Sequence, residues 1–196
     1  ELGEPLFVKP SVGGSSVGCK LVKKRADLVD AVRFALRFDD TALVEKGVKA
    51  REIEVAILGS PGALRASAVG EIVPGAEFYD YEDKYLKDDA KLLAPAPLDD
   101  ATTKRVQALG VQAMTAIGGA GLARVDFFLV GDTLYLNEIN TLPGFTSVSM
   151  YPRLWGLAGV PLPELVDTLV KLGVERHKAK ARLDDSLHDF VASVKA

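Results

Sequence analysis

Cysteine is almost missing from this chain of 196 residues: Cys19 stands alone, so no disulfide can staple the fold from within. A lone thiol fits a reducing compartment, and the cytoplasm is the expected location. Only two histidines are present, His177 and His188, both within C-terminal helical patterns and far in sequence from every other polar motif. They are read as surface residues. No apolar run approaches the roughly 20 residues that cross a bilayer, and no signal-peptide pattern opens the sequence. Positive charge is not in excess: 24 Lys and Arg against 27 Asp and Glu give a net charge of −3, with no basic stripe. That argues against a nucleic-acid partner and gives no reason to invoke a membrane. Internal repeats and low-complexity tracts are absent as well.

What remains is ordinary globular composition, 48% hydrophobic and 26% charged, enough for one sizeable core or two small lobes. The sequence opens on Glu1 and passes almost at once into a strand, Leu6 to Pro10, as the interior of a longer protein would. A loop with three glycines and three serines follows, Ser11 to Gly18, and Gly18 to Lys23 reads as the return strand. Leu28, Val32, Ala35 and Leu36 mark one face of a helix over about 26–38, and Thr41 to Glu45 reads as a third strand. Lys46 to Lys49 reads as a hinge. Beyond it, Arg51 to Leu58 and Ala63 to Val69 form strands around the turn Gly59-Ser60-Pro61-Gly62.

Residues 76–97 carry little periodicity but hold Tyr79, Tyr81, Lys84 and Tyr85, which suits a functional loop better than a disordered one. Asp99 can cap a helix running to Ile117, with Val106, Leu109, Ala113 and Ile117 on its buried face. Two further amphipathic helices are expected near Pro163 to Lys178 and Leu183 to Val194.

The chemistry concentrates between Arg124 and Met150. Val125 to Val130 and Leu134 to Ile139 form an antiparallel hairpin about Gly131-Asp132-Thr133. Glu138 and Asn140 lie two positions apart and share a face. A three-residue link would set Asp126 opposite Glu138, where cross-strand Cβ atoms are about 4.5–5.5 Å apart. Two carboxylates that close repel unless a cation is shared, and an all-oxygen set selects Mg²⁺ or Mn²⁺ over zinc. The same residues also suit a solvated hairpin face. Arg124 lies on the same face as Asp126 and can clamp a carboxylate or phosphate, or simply pair with Glu138.

Elsewhere, Gly13-Gly14-Ser15-Ser16-Val17-Gly18 can converge main-chain N–H groups on an anion, with Lys9 in reach, although a plain hairpin turn has the same composition. The Lys-Ser/Thr of a Walker loop is missing, and a strand rather than a helix follows. Glu45-Lys46-Gly47-Val48 and Glu52 can serve an adenine edge and a ribose, or a charged hinge. Gly144 and Ser149 flank the start of a helix and can face a ligand.

In this order and spacing, these motifs resemble the ATP-grasp fold and, within it, the D-alanine–D-alanine ligase family. Phe78-Tyr79-Asp80-Tyr81-Glu82-Asp83-Lys84-Tyr85 and Asn137 to Met150 carry the resemblance most specifically, and it runs from about residue 5 to 172. It implies an α+β fold of two lobes with mainly antiparallel sheets flanked by helices. Residues 1–46 would be part of the small lobe, 47–178 the large lobe and 179–196 a helical tail, with the N-terminal substrate domain absent.

The implied reaction joins two D-alanines through a D-alanyl phosphate at the expense of ATP, for peptidoglycan precursors. Lys9 and Ser16 would hold phosphates, Glu45, Lys46 and Val48 adenine, and Glu52 ribose. Asp126, Glu138 and Asn140 would hold two Mg²⁺ ions. Arg124 and the Gly144 amide would stabilise the oxyanion, Ser15 would orient the first D-alanine, and Ser149 and Met150 the carboxylate of the second. Lys84 would reach the transferred phosphate, and Tyr85 favours an amine nucleophile over D-lactate. The parent enzyme is expected to be a homodimer, and the isolated chain to be inactive. The competing expectations are another ATP-grasp carboxylate–amine ligase and a nucleotide-binding module without turnover.

Overall fold

The structure is a computed structural model describing residues 2–14, 16–74, 91–146 and 148–194, with the side chains of 183–193 outside that description. Lys84, Tyr85 and Ser15 therefore lie outside the described residues. The chain forms two compact units, the first drawn from 1–52, 72–92 and 128–133 and the second from 53–71, 93–127 and 134–196.

The first unit is built on a three-stranded antiparallel sheet in the order β2-β1-β3, from β1 (Leu6–Pro10), β2 (Lys20–Val22) and β3 (Ala42–Lys46). Alternation in β1 puts Leu6 and Val8 inward, and α1 (Leu28–Ala35) covers that face with Ala31 and Ala35. Leu28, Val32, Ala42 and Val44 complete the packing. Leu36, expected on the buried face, is 45% exposed, because the helix ends at Ala35 and Leu36 is its C-cap. The return strand is also shorter than expected, since Gly18 at φ +80° still belongs to the turn.

A five-stranded sheet follows in the order β6-β5-β4-β7-β8, from β4 (Arg51–Gly59), β5 (Arg65–Val73), β6 (Lys91–Leu93), β7 (Gly121–Val130) and β8 (Thr133–Asn140). β6 falls inside the stretch expected to lack regular structure. β4 is the central strand, and every residue from Ile53 to Gly59 is buried, so both of its faces are covered. That explains its near-continuous apolar run. The α+β class with antiparallel sheets and flanking helices is what forms.

Helix α2 (Asp100–Ala116) starts where the Asp99 carboxylate accepts from the Thr102 amide at 2.7 Å. Val106 is buried as expected, together with Gly110 and Met114, while Leu109 and Ala113 are only half-buried. Ile117 is 53% exposed for the same reason as Leu36: it is the C-cap, and the chain turns away at Gly118 with φ +62°. Gly110 brings the helix close to β4, where an added Cβ would lie 2.7 Å from Val55 Cγ1 and 3.1 Å from Ile57 Cδ1.

Helix α3 (Met150–Leu157) buries Met150, Tyr151, Leu154 and Trp155, and the Tyr151 hydroxyl donates to the Ile57 carbonyl at 3.0 Å. The two expected C-terminal helices are one, α4 (Leu162–Val194). The apolar pattern lapses around Lys178-Ala179-Lys180-Ala181-Arg182, but these are strong helix formers with no Gly or Pro among them, so the backbone continues. Among the described residues, no helix is long and apolar enough to cross a membrane.

Two glycine substitutions should move stability in opposite directions. Gly110→Ala gains about 1 kcal/mol of helix propensity but overpacks against a stiff Val55, at a cost of about 1–3 kcal/mol, so net destabilisation is expected. Gly173 in α4 has nothing within 4 Å of an added Cβ, so Gly173→Ala should stabilise by about 0.5–1 kcal/mol. Urea unfolding midpoints of the two variants check both signs.

Candidate functional site

The polar centre of the second unit is assembled from adjacent strands. β7 buries Ala123, Val125, Phe127 and Leu129, which turns Arg124 and Asp126 to its other face. There the two side chains pair in parallel: Arg124 Nε donates to Asp126 Oδ1 and a terminal nitrogen to Asp126 Oδ2, both at 2.7 Å. A second acid approaches from β4, with Glu54 Oε1 at 3.2 Å from the same Nε. The side chains of Arg124, Asp126 and Glu54 are 20%, 13% and 4% exposed.

Burial opposes the charge on Arg124, but its hydrogen bond to Asp126 and the fields of Glu54, Asp126 and Glu138 outweigh that penalty and hold the guanidinium pKa above its ordinary value. Arg124 is thus a fixed cation among acids. Glu54 was not foreseen from the sequence. The signal was a carboxylate within the apolar run Ile53 to Leu58, since a buried charge in a central strand demands a counter-ion.

β8 brings Glu138 and Asn140 to the same region. Thr133 joins the strand, so the hairpin link is Gly131-Asp132 rather than three residues, and the count that set Asp126 opposite Glu138 does not apply. Leu136 is 52% exposed. Glu138 is exposed, and Asn140 Oδ1 accepts from the Leu142 amide at 3.1 Å. Two carboxylates and an amide oxygen are the donors that Mg²⁺ and Mn²⁺ take. The residues fit such a cation by chemistry, provided Asp126 turns from Arg124. Among the described residues, no group of three His, Cys, Asp or Glu is already arranged to hold a metal.

After β8 the chain forms a tight turn into α3. The Thr146 amide donates to Ser149 Oγ at 3.0 Å, the Ser149 amide to the Thr146 carbonyl at 3.0 Å, and the two hydroxyls lie 2.9 Å apart. Gly144 is pressed against this turn, with Ser149 Oγ 2.9 Å from where a Cβ would be. The Met150 side chain is 4% exposed and belongs to the core beneath Gly70, so as a ligand contact only its main-chain N–H is suited, at the first turn of a helix.

In the first unit, Lys9 Nζ and Glu45 Oε2 form a salt bridge at 3.0 Å between neighbouring strands. Lys46 ends β3 exposed, while Val48 and Glu52 are half-buried on either side of the entry to β4. The Gly/Ser loop is held at both ends. Asp39 accepts from the Val12 amide at 2.6 Å, and that bond holds its carboxyl below the ordinary range. Gly18 packs where a Cβ would lie 2.7 Å from both Phe38 and Pro10. Ser16 takes a left-handed φ of +58°, a conformation that non-glycine residues adopt at functional turns.

Comparison with known proteins gives consistent relatives. The family described as D-ala D-ala ligase C-terminus matches residues 1–171. The D-alanine–D-alanine ligase of Heliobacterium modesticaldum is 51% identical over 183 residues, which are 92% of this chain and 50% of that protein. D-alanine–D-alanine ligase A of Salmonella typhimurium is 45% identical over 188 residues, 95% and 51% respectively. Among solved structures, the D-alanine-D-alanine ligase from Coxiella burnetii superposes with a TM-score of 0.82 at 36% identity, covering 97% of this chain and 50% of its own. The VanG D-Ala:D-Ser ligase from Enterococcus faecalis gives 0.79 at 35% identity, covering 87% and 50%. The chain spans about half the length of the curated relatives it matches.

Arg124→Met should destabilise the protein by about 3 kcal/mol, because it strips the shared cation from the buried Glu54 and from Asp126. Adding Glu54→Gln should recover part of that loss. Denaturant unfolding of the single and double variants gives both values, and an unaltered Arg124→Met midpoint would contradict the pairing.

Proposed function

The chain belongs to the D-alanine–D-alanine ligase family, and from that premise we propose that the full-length protein joins two D-alanines at the expense of ATP. The observation that supports this most is the Arg124 centre, where a fixed cation and three oxygen donors of the metal-binding type, Asp126, Glu138 and Asn140, come from two adjoining strands.

In this reading the carboxylate of one D-alanine attacks the γ-phosphorus of ATP and forms an acyl phosphate, and ADP departs. The amine of a second D-alanine then attacks the acyl carbon, and phosphate leaves with the former carboxylate oxygen. Asp126, Glu138 and Asn140 hold two Mg²⁺ ions, with Mn²⁺ as a substitute, and these supply neutralising charge to the phosphates. Arg124 and the Gly144 amide donate to the oxyanion that develops on the acyl carbon, and donors fixed in place beforehand are the effective ones. The N–H groups of the first turn of α3, beside Ser149 and Met150, orient the acceptor carboxylate.

Lys9 and Ser16 bind phosphate oxygens, with the Lys9–Glu45 bridge steadying the lysine. Glu45, Lys46 and Val48 meet adenine, and Glu52 the ribose. Ser15 orients the first D-alanine. By residue type and order, Lys84 reaches the transferred phosphate, and Tyr85 selects an amine. Residues 1–46 belong to the small ATP-binding lobe, 47–178 to the large lobe and 179–196 to a helical tail. The proposed assembly is a homodimer in the cytoplasm, where ATP is available, serving peptidoglycan precursor synthesis.

The likeness to a D-Ala:D-Ser ligase favours one second reading, in which D-serine is the acceptor. Phosphate release from ATP by the full-length protein, measured with D-alanine alone and with added D-serine or D-lactate, separates the two. D-alanine alone should drive phosphate and D-alanyl-D-alanine in equal amounts. Release that requires D-serine would select the second reading, and no D-alanine-dependent release would reject both.

A further inference from the structure

We propose that Glu54 is a positioning residue that keeps Arg124 in place when Asp126 turns to a divalent cation, an inference that rests on the ligase reading above. The geometry that points to it is a shared donor. Arg124 Nε carries a single N–H, yet two carboxylates address it: Asp126 Oδ1 at 2.7 Å and Glu54 Oε1 at 3.2 Å. Asp126 also holds a second guanidinium nitrogen, again at 2.7 Å.

The two acids are not equivalent. Glu54 is 4% exposed on a central strand, where losing its counter-ion would be severely unfavourable. Asp126 is more open, at 13%, and belongs to the donor set suited to Mg²⁺. When Asp126 takes up a cation, the Nε–H passes wholly to Glu54 and the guanidinium stays on its strand. The terminal nitrogen that Asp126 had engaged is released. It becomes a donor for an anionic oxygen of the substrate, so cation binding and exposure of the oxyanion donor are one event. Without Glu54, Arg124 leans more heavily on Asp126 and competes with the cation for it.

The test is Mn²⁺ binding to the full-length protein in saturating non-hydrolysable ATP analogue, read from the electron paramagnetic resonance signal of free Mn²⁺. Glu54→Gln should raise the Mn²⁺ dissociation constant about tenfold, the range seen when outer-shell partners of a metal site are removed. In an Arg124→Met background the same substitution should change it by less than about twofold, because the effect travels through Arg124. An equal change in both backgrounds would show the direct loss of Glu54's attraction for the cation and overturn the proposal, as would no change in either. If Glu54→Gln does not fold, Glu54→Asp keeps the charge but withdraws it by one methylene. It should also weaken Mn²⁺ binding, and wild-type affinity there would overturn the proposal too. Failure of the wild-type protein to bind Mn²⁺ with nucleotide would instead reject the ligase reading itself.

Discussion

The pairing of Arg124 with Glu54 and Asp126 constrains both the fold and the chemistry of the second unit. A carboxylate on a central strand buried on both faces is tolerable only beside a cation, because the cost of removing an unpaired carboxylate from water is several kcal/mol. Glu54 occupies such a place, and the cation comes from the neighbouring strand β7. Slipping β7 by one residue would turn Arg124 into the apolar layer and leave Glu54 facing Ala123 or Val125 in its place. The register of β7 against β4 and the placement of Arg124 are therefore tied to this contact. The packing of α2 through Gly110 and of α3 through Tyr151 supports β4 further along its length.

The first unit solves a different problem. A loop able to cradle an anion must present main-chain N–H groups without spending them on regular structure, and it still has to be held in shape. Here the shape comes from the ends: Asp39 fastens Val12, and Gly18 fits tightly between Phe38 and Pro10. The span between them is left to Gly13, Gly14 and Ser16, with Ser16 in a strained φ. The small core of Leu6, Val8, Val22, Ala31 and Ala35 supports the strands that carry Lys9 and Glu45.

Much of this was legible in the sequence where the signal is local. The hairpin of β7 and β8, the Asp99 cap and the strand β4 follow from periodicity and turn chemistry, although the hairpin link is one residue shorter than expected. Arg124 and Asp126 share a face by simple alternation, and they do pair. What escaped was decided by non-local partners. Glu54 went unread in the sequence, and only the neighbouring strand shows why it is buried. Leu36 and Ile117 fit their helical faces by spacing, yet both are C-caps, and a periodic pattern does not report where the helix stops. Met150 entered only through the family resemblance, and that its side chain is drawn into the core under Gly70 was not read from the sequence. The continuity of α4 was hidden by a polar stretch whose residues are nevertheless good helix formers.

The central claim is that this Arg124 centre serves activation of a carboxylate by phosphoryl transfer. The most direct measurement is the fate of a labelled oxygen: the full-length protein is supplied with ATP, Mg²⁺ and D-alanine carrying ¹⁸O in its carboxylate, and the released phosphate is analysed by mass. An acyl phosphate intermediate predicts one ¹⁸O atom in the phosphate for each dipeptide formed. Phosphate without the label, formed alongside dipeptide, would contradict the account.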